Sequence, residues 1–173
     1  MKLKFIQEED FVNYKECSMF VGTAFCDFKC QKENPKCNCQ NSILINSDTQ
    51  EISISKLIDI FDNNIFSKAV VFGGLEPMLQ YDDLLEFISK FRETHNNTVV
   101  IYTGYTEEEL KPQINQLKNF KNIIIKFGRF IPEQKSHYDE LLGVFLASNN
   151  QYAKRIGQVS TTQPIKGRGL DVH

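Results

Sequence analysis

The 173-residue sequence lacks any run of about 18 apolar residues, the length from which a membrane-crossing helix is expected. Its first residues, MKLKFIQEEDF, are too acidic for a secretory signal, and their apolar stretch is too short. We therefore expect a cytoplasmic protein. Because that compartment keeps thiols reduced, the five cysteines are expected to serve metal or redox chemistry rather than disulfides.

An excess of charge of one sign is also missing. The 20 lysines and arginines nearly balance the 22 aspartates and glutamates, giving a net charge of -2, and the basic residues are scattered along the sequence. This distribution offers no basic stripe of the kind that binds nucleic acid. There is no internal repeat and no low-complexity tract, and the 41% hydrophobic content is that of one globular domain.

The end of the sequence differs in pattern from the rest. From residue 157 onward hydrophobic periodicity is lost and Gly, Pro and Thr become frequent, which predicts a domain over 1–156 and a C-terminal tail over 157–173. The tail carries Lys166 and Arg168 and is a candidate docking element for a partner protein; a disordered end without a role is the alternative.

Apolar runs rich in β-branched residues alternate with amphipathic stretches, a pattern typical of the α/β class with a mostly parallel sheet. The predicted strands are residues 19–22, 69–72, 98–102, 123–127 and 144–147. Three helix faces are predicted by their spacing: Leu57, Ile58 and Phe61; Leu84, Ile88 and Phe91; and Leu110, Ile114 and Leu117. Thr106 and Glu109 form a capping box that predicts the start of the third helix.

Glycine-bearing or polar segments follow each predicted strand. They are the cysteine-rich segment 26–41, GGLEP at 73–77, TGY at 103–105, GRF at 128–130 and SNNQ at 148–151. In parallel α/β folds the carboxyl ends of the strands meet on one side, so these loops are expected to form one site. Each loop alone has an ordinary explanation as a turn or helix cap. The carboxylate of Glu76 could be merely solvated, or it could accept hydrogen bonds from a cationic amine.

Four cysteines lie within fourteen residues, as Cys26-x-x-x-Cys30 and Cys37-x-Cys39. The spacing of the first pair is one that structural zinc sites use, whereas the cysteines of the second pair are closer together in sequence than is usual there. The three histidines are remote in sequence from this segment. A fully cysteine-ligated ferredoxin-type cluster has other spacings. A three-cysteine site would leave one iron of a four-iron cluster without a protein ligand. Such an open coordination position is typical of catalytic metal sites and not of structural ones.

The cysteine segment resembles that of radical S-adenosylmethionine (radical SAM) enzymes, whose motif is Cys-x-x-x-Cys-x-x-Cys after the first strand. CDFKC at 26–30 is similar to the first half of that motif. In the activating proteins of anaerobic ribonucleoside-triphosphate reductases the third cysteine is often followed by Tyr-Asn, and CQN at 39–41 resembles that ending. Residues 31–38 are an insertion that brings in Cys37, which is the fallback for Cys39 as third ligand.

Four further loops resemble those of the activases in the same order, so that the resemblance covers about residues 17–156. FGGLEP at 72–77 is similar to the family's Gly-Gly-Asp/Glu-Pro loop, which receives the amino group of S-adenosylmethionine. VIYTGY at 100–105 resembles a strand followed by Thr-Gly-Tyr, KFGRF at 126–130 resembles Asp-Gly-x-Phe with the acid replaced, and SNNQ at 148–151 resembles Gly-Ser-x-Asn-Gln.

This resemblance implies an incomplete (βα) barrel of the radical SAM type, since a full barrel takes about 250 residues. It also implies a radical SAM oxidoreductase, a glycyl radical enzyme activating enzyme. Such an enzyme cleaves S-adenosylmethionine reductively at a 4Fe-4S cluster and makes a 5′-deoxyadenosyl radical. The implied partners are an anaerobic ribonucleotide reductase and an electron donor of the flavodoxin or ferredoxin type.

The resemblance also implies the site residues. The cluster ligands would be Cys26, Cys30 and Cys39, with Cys37 as the alternative third ligand, and no catalytic side chain is implied beyond the cluster. The implied cofactor-binding residues are Gly73, Gly74, Glu76, Thr103, Ser148 and Asn150. Three alternatives stay open: a radical SAM enzyme with another peptide or small-molecule substrate, a zinc-stabilised binding module, and an inactive relative, against which the intact Cys26 and Cys30 argue.

Overall fold

The computed structural model describes residues 1–156. The strands are β1 (Lys2–Asp10), β2 (Ser18–Thr23), β3 (Gln50–Glu51), β4 (Ala69–Gly74), β5 (Thr98–Tyr102), β6 (Ile123–Phe127), β7 (His137–Asp139), β8 (Val144–Leu146) and β9 (Tyr152–Arg155). The helices are α1 (Lys29–Glu33), α2 (Ser42–Ile45), α3 (Ile54–Asn63), α4 (Tyr81–Thr94) and α5 (Lys111–Leu117), with a 3-10 turn at Pro77–Gln80. The predicted tail over 157–173 lies outside the described residues.

Seven strands form one open sheet in the order β3-β1-β2-β4-β5-β6-β9. The four central strands β2, β4, β5 and β6 are parallel to one another. The edges are antiparallel, since β1 pairs with β2 and β3, and β9 pairs with β6. Three of the six strand pairings are therefore parallel and three antiparallel.

The prediction of an incomplete (βα) barrel is wrong, and so is that of a mostly parallel sheet. Only five short helices accompany the seven-stranded mixed sheet in residues 1–156. A barrel of the expected type repeats a strand and a helix many more times. Here, in addition, antiparallel strands occupy both edges of the parallel core. The fold is a small α/β structure with an open, mixed sheet.

Helices α3, α4 and α5 cover one face of this sheet, and their predicted apolar stripes are buried there. Leu57 and Phe61 of α3, Leu84, Ile88 and Phe91 of α4, and Leu110, Ile114 and Leu117 in and before α5 join one core cluster with the sheet. Ile58, the third residue of the predicted α3 face, is partly buried and packs against this cluster. Ser53 caps α3 by accepting a hydrogen bond from the Lys56 backbone. Periodicity thus predicted the faces that the helices bury.

The capping box at Thr106 and Glu109 is formed reciprocally. The Thr106 backbone donates to the Glu109 carboxylate at 2.8 Å, and the Glu109 backbone donates to the Thr106 hydroxyl at 3.3 Å. Helix α5 begins only at Lys111. The motif therefore closes the turn that leads into the helix, and the predicted helix start is too early by about one turn.

On the opposite face of the sheet, no helix within residues 1–156 contributes to the core cluster. A second core cluster contains Phe20, Val71, Val100 and Ile124 from the central strands and Leu142 and Leu146 from outside the sheet. Residues 144–147 were predicted to be a strand of the main sheet. Among the described residues, however, β8 pairs with β7 in a separate two-stranded sheet, and the strand that joins the main sheet is β9. Among residues 1–156, no helix has both the length and the apolar composition needed to cross a membrane.

Candidate functional site

The segments that follow β2, β4, β5 and β6, together with residues around β8, surround a cavity of about 490 Å³. All four cysteines of segment 26–41 line it, as do Glu76 and Lys126. The parallel strands end toward this cavity, so the loops meet as the strand order predicts. We refer to it below as the cysteine cavity.

The four thiols of the cysteine cavity are free of disulfides. Cys30 lies in α1, and Cys37 is the buried one, with its thiol 3.7 Å from the Phe130 carbonyl. Burial raises the pKa of the Cys26 thiol, and burial together with the neighbouring Cys30 raises that of Cys37 to about 11. These two thiols stay protonated at neutral pH unless a metal centre stabilises their thiolates.

The cysteine segment is tied to its neighbours by polar contacts. The Tyr105 hydroxyl donates to the Asp27 carboxylate at 2.7 Å, and Lys29 pairs with Glu109 at 3.2 Å. Arg129 donates two hydrogen bonds to that same Glu109, which lowers the pKa of its carboxyl to about 2. The loops after β2, β5 and β6 are therefore held as one unit, with Glu109 at the centre.

Glu76 joins the loop after β4 to the loop after β5. One of its oxygens accepts from the Thr103 hydroxyl at 2.8 Å and from the Met78 backbone at 3.1 Å, and the other accepts from the Gly104 backbone at 2.8 Å. The residue is 7% exposed. Burial raises the pKa of its carboxyl, and these hydrogen bonds oppose the rise. A buried acceptor with three donors fixes the rim of the cavity.

Residues 15–153 match the family model of the 4Fe-4S single cluster domain, over most of the chain. The chain belongs to this family. The match contains the whole cysteine segment, Glu76 and Lys126. The predicted iron-sulfur cofactor is thereby confirmed at the level of a 4Fe-4S cluster domain. Among the curated proteins, no sequence matches the chain.

The thiols of the cluster domain fit such a cluster in their donor chemistry. No three histidine, cysteine, aspartate or glutamate side chains in residues 1–156 converge as ligands of a single metal ion. A four-iron cluster instead binds its thiolates through different iron atoms, so the ligands stand around it rather than at one point. Four free thiols around one cavity correspond to that arrangement.

The structure divides the predicted cofactor-binding residues into two groups. Gly74, Glu76 and Thr103 line the cysteine cavity. Gly74 has a φ of 81°, in the region that favours glycine, and its carbonyl accepts from Asn41 of the cysteine segment at 2.5 Å. The Thr103 hydroxyl donates to Glu76 and accepts from the Tyr105 backbone, so it organises the rim.

Gly73, Ser148 and Asn150 do not line the cysteine cavity. A methyl group on Gly73 would lie 2.9 Å from the Phe20 ring, so that position serves close packing. The Ser148 hydroxyl donates to Asn150, whose amide donates to the Arg129 carbonyl at 2.7 Å. Asn150 lines a second cavity of about 480 Å³, together with Cys30. Ser148 and Asn150 therefore brace the loop after β6.

Lys126 was missed as a site residue by the sequence analysis. It is 7% exposed, lines the cysteine cavity and donates to the Gly128 carbonyl at 2.9 Å. Burial lowers the pKa of its ammonium to about 8, against the opposing effect of Glu76. The signal that could have revealed it is a single lysine within the apolar strand IIIKF.

Proposed function

We propose that this cluster domain is a radical SAM enzyme that generates the glycyl radical of an anaerobic ribonucleotide reductase. The observation that supports it is a shared cavity: the cysteine segment and the loop of Gly74 and Glu76 line the same space of about 490 Å³. Small-molecule sites have volumes of about 300–1,000 Å³. The loop of Gly74 and Glu76 resembles the one that receives the amino group of S-adenosylmethionine in the activases.

In this proposal Cys26, Cys30 and Cys39 hold three irons of the cluster, with Cys37 as the alternative third ligand. When bound, a reduced 4Fe-4S cluster supplies the electron that splits S-adenosylmethionine into methionine and a 5′-deoxyadenosyl radical, which then takes a hydrogen atom from the target glycine. The loop contacts of Asp27, Lys29 and Asn41 keep the cysteine segment over the cavity.

Glu76 and Gly74 have separate tasks in binding. A carboxylate has about four acceptor positions, of which three are used in Glu76, so one is left for the amino group of the ligand. Gly74 has no side chain to keep the ligand away from the backbone of the loop. The proposed partners are the reductase and an electron donor of the flavodoxin or ferredoxin type; another peptide or small molecule is the alternative target.

A second candidate function rests on Cys37. This fourth thiol lines the same cavity as the other three, and four thiolates would close the coordination of a cluster. A closed cluster leaves no iron for a ligand to occupy, so such a domain would transfer electrons without cleaving S-adenosylmethionine. The two functions differ in their dependence on Cys37.

Anaerobic reconstitution with iron and sulfide tests the proposal. We expect about four irons per chain and a broad visible absorption that dithionite bleaches. With S-adenosylmethionine and a reductant the protein should form 5′-deoxyadenosine, and with a reductase partner it should give a glycyl radical signal in electron paramagnetic resonance. Stoichiometric zinc without iron uptake would contradict the cluster, and a bleachable cluster without 5′-deoxyadenosine would contradict the enzyme.

Cysteine variants separate the two candidate functions. Cys26→Ala, Cys30→Ala and Cys39→Ala should each lose a stable cluster, whereas Cys37→Ala should keep most of it. Cys17→Ala is the control, because Cys17 lies beside Ser67 and does not line the cavity. Cluster loss in Cys37→Ala but not in Cys39→Ala makes Cys37 the third ligand. Cluster loss in all four variants favours the closed electron-transfer cluster.

A further inference from the structure

Lys126 occupies a position at which a charge is costly unless it is paired. It lies in β6, between Tyr102 of β5 and Ala153 of β9, and shares its sheet face with the buried Ile124. The residue is 7% exposed and lines the wall of the cysteine cavity. Buried charges in proteins are normally paired with an opposite charge.

The described residues do not supply such a pair. An ammonium has three donors, and the hydrogen bond of Lys126 goes to the Gly128 carbonyl, which also accepts from the Gln151 amide at 3.2 Å. None of the ion pairs within residues 1–156 includes Lys126. Glu76 is the acidic group that acts on Lys126 electrostatically, and its carboxylate is already held by three other donors.

The cavity wall therefore carries one buried anion and one buried cation, both with capacity left for a ligand. A free amino-acid group has the complementary pair of charges, an ammonium and a carboxylate. Charge-assisted hydrogen bonds between a lysine and a carboxylate are strong where water is excluded. A carboxylate has two oxygens, so a contact with Lys126 leaves the other oxygen for a metal centre.

We propose that Lys126 is the carboxylate-binding residue of the cavity, so that the site selects a ligand whose amino-acid end is intact. The inference rests on the proposed function and names the part of S-adenosylmethionine that this chain recognises through Lys126. It makes Lys126 a determinant of specificity, because a ligand without the carboxylate would leave the ammonium buried and unpaired.

The test compares S-adenosylmethionine with decarboxylated S-adenosylmethionine by calorimetric titration of the reconstituted, unreduced protein, in which no cleavage occurs. The variants are Lys126→Met and, as a matched control, Lys154→Met, because Lys154 of β9 is exposed and pairs with Glu107. We expect the preference of the wild type for the carboxylated ligand to fall at least about tenfold in Lys126→Met and to be unchanged in Lys154→Met.

Three outcomes are distinguishable. If the wild type binds neither compound, the proposed function fails. If the wild type binds both equally, or if Lys126→Met keeps the full preference, only the role of Lys126 is overturned. Equal binding of both compounds by the wild type would overturn the role of Lys126 even if the Lys126→Met variant did not fold. Circular dichroism and iron content show whether the variant folds and holds its cluster.

Discussion

Glu76 and Lys126 are opposite charges buried in one cavity, and they are stabilised to different degrees. Glu76 accepts three hydrogen bonds, whereas Lys126 has one described acceptor and no carboxylate within ion-pair distance in residues 1–156. In the absence of a ligand the Lys126 ammonium is therefore a destabilising charge. The free energy of unfolding should therefore depend on pH in part through this residue, and a comparison with a Lys126 variant isolates its share.

The first prediction follows from the pKa of Lys126, which is about 8 in the folded protein against an ordinary value of 10.5. Between these pH values the unfolded chain binds a proton that the folded protein does not, so stability rises with pH. Relative to Lys126→Met, the wild type should gain roughly 3 kcal/mol from pH 8 to pH 10.5, measured by urea unfolding. The Lys154→Met variant keeps Lys126 and should therefore show the gain of the wild type when it is compared with Lys126→Met.

The second prediction concerns Gly74, where the backbone has a φ of 81° and a methyl group would lie 3.1 Å from the Gly22 Cα. Gly74→Ala should destabilise the fold by about 1–2 kcal/mol or more in urea unfolding, because side chains disfavour this backbone region. Gly104→Ala is the matched control on the neighbouring loop. Its nearest atoms would be at 3.5 Å, and its stability should change by less than about 0.5 kcal/mol. Equal effects would contradict the backbone explanation.

At the scale of elements, the cysteine segment depends on its neighbours for its position. Helices α1 and α2 have no buried residues, so they contribute little to the core. The segment is held instead by contacts such as the hydrogen bond from Tyr105 to Asp27 and that from Asn41 to Gly74. Local opening of this segment should therefore be easy, and polar contacts should set its rate.

The third prediction is that Tyr105→Phe accelerates the loss of iron to a chelator by several-fold, because it removes the hydrogen bond to Asp27 at 2.7 Å. A bond to a charged group is worth about 1.5–3 kcal/mol, and solvent around this half-buried pair reduces that value. Tyr81→Phe is the control, since its hydroxyl donates to the Gln113 carbonyl at 3.1 Å and Tyr81 lines neither cavity. Similar rates of iron loss in both variants would refute a role for Tyr105 in holding the segment.

At the scale of the whole molecule, the sheet is open and its edges are closed by antiparallel strands. Strand β9 pairs with β6 through four residues, which covers the edge of the strand that carries Lys126. The described elements and the described lining of the cavity belong to residues 1–156. The predicted division into a domain over 1–156 and a tail can be tested on this basis.

The fourth prediction is that removal of residues 158–173 leaves the iron content and the thermal midpoint nearly unchanged. Removal of residues 152–173 should lower both strongly, because it uncovers the backbone edge of β6 next to the cavity. Iron analysis and thermal unfolding of the two shortened chains provide the comparison. A loss of the cluster in the first of them would assign residues 158–173 to the cluster site.

The sequence by itself determined the features that depend on neighbours along the chain. Strands β5 and β6 have the predicted bounds, and the apolar stripes of α3, α4 and α5 are buried as their spacing indicates. Residue spacing also grouped the cysteines, and the family match confirms a 4Fe-4S cluster domain around them. Periodicity and spacing are local properties, so a sequence contains them directly.

The tertiary structure alone decided which distant segments meet. It placed antiparallel strands at both edges, so that the sheet stays open where a barrel was expected. It turned Ser148 and Asn150 toward the loop after β6 and buried Lys126 in the cavity opposite the engaged carboxylate of Glu76. Strand pairing and burial depend on contacts between residues far apart in the chain, and no local pattern specifies those partners.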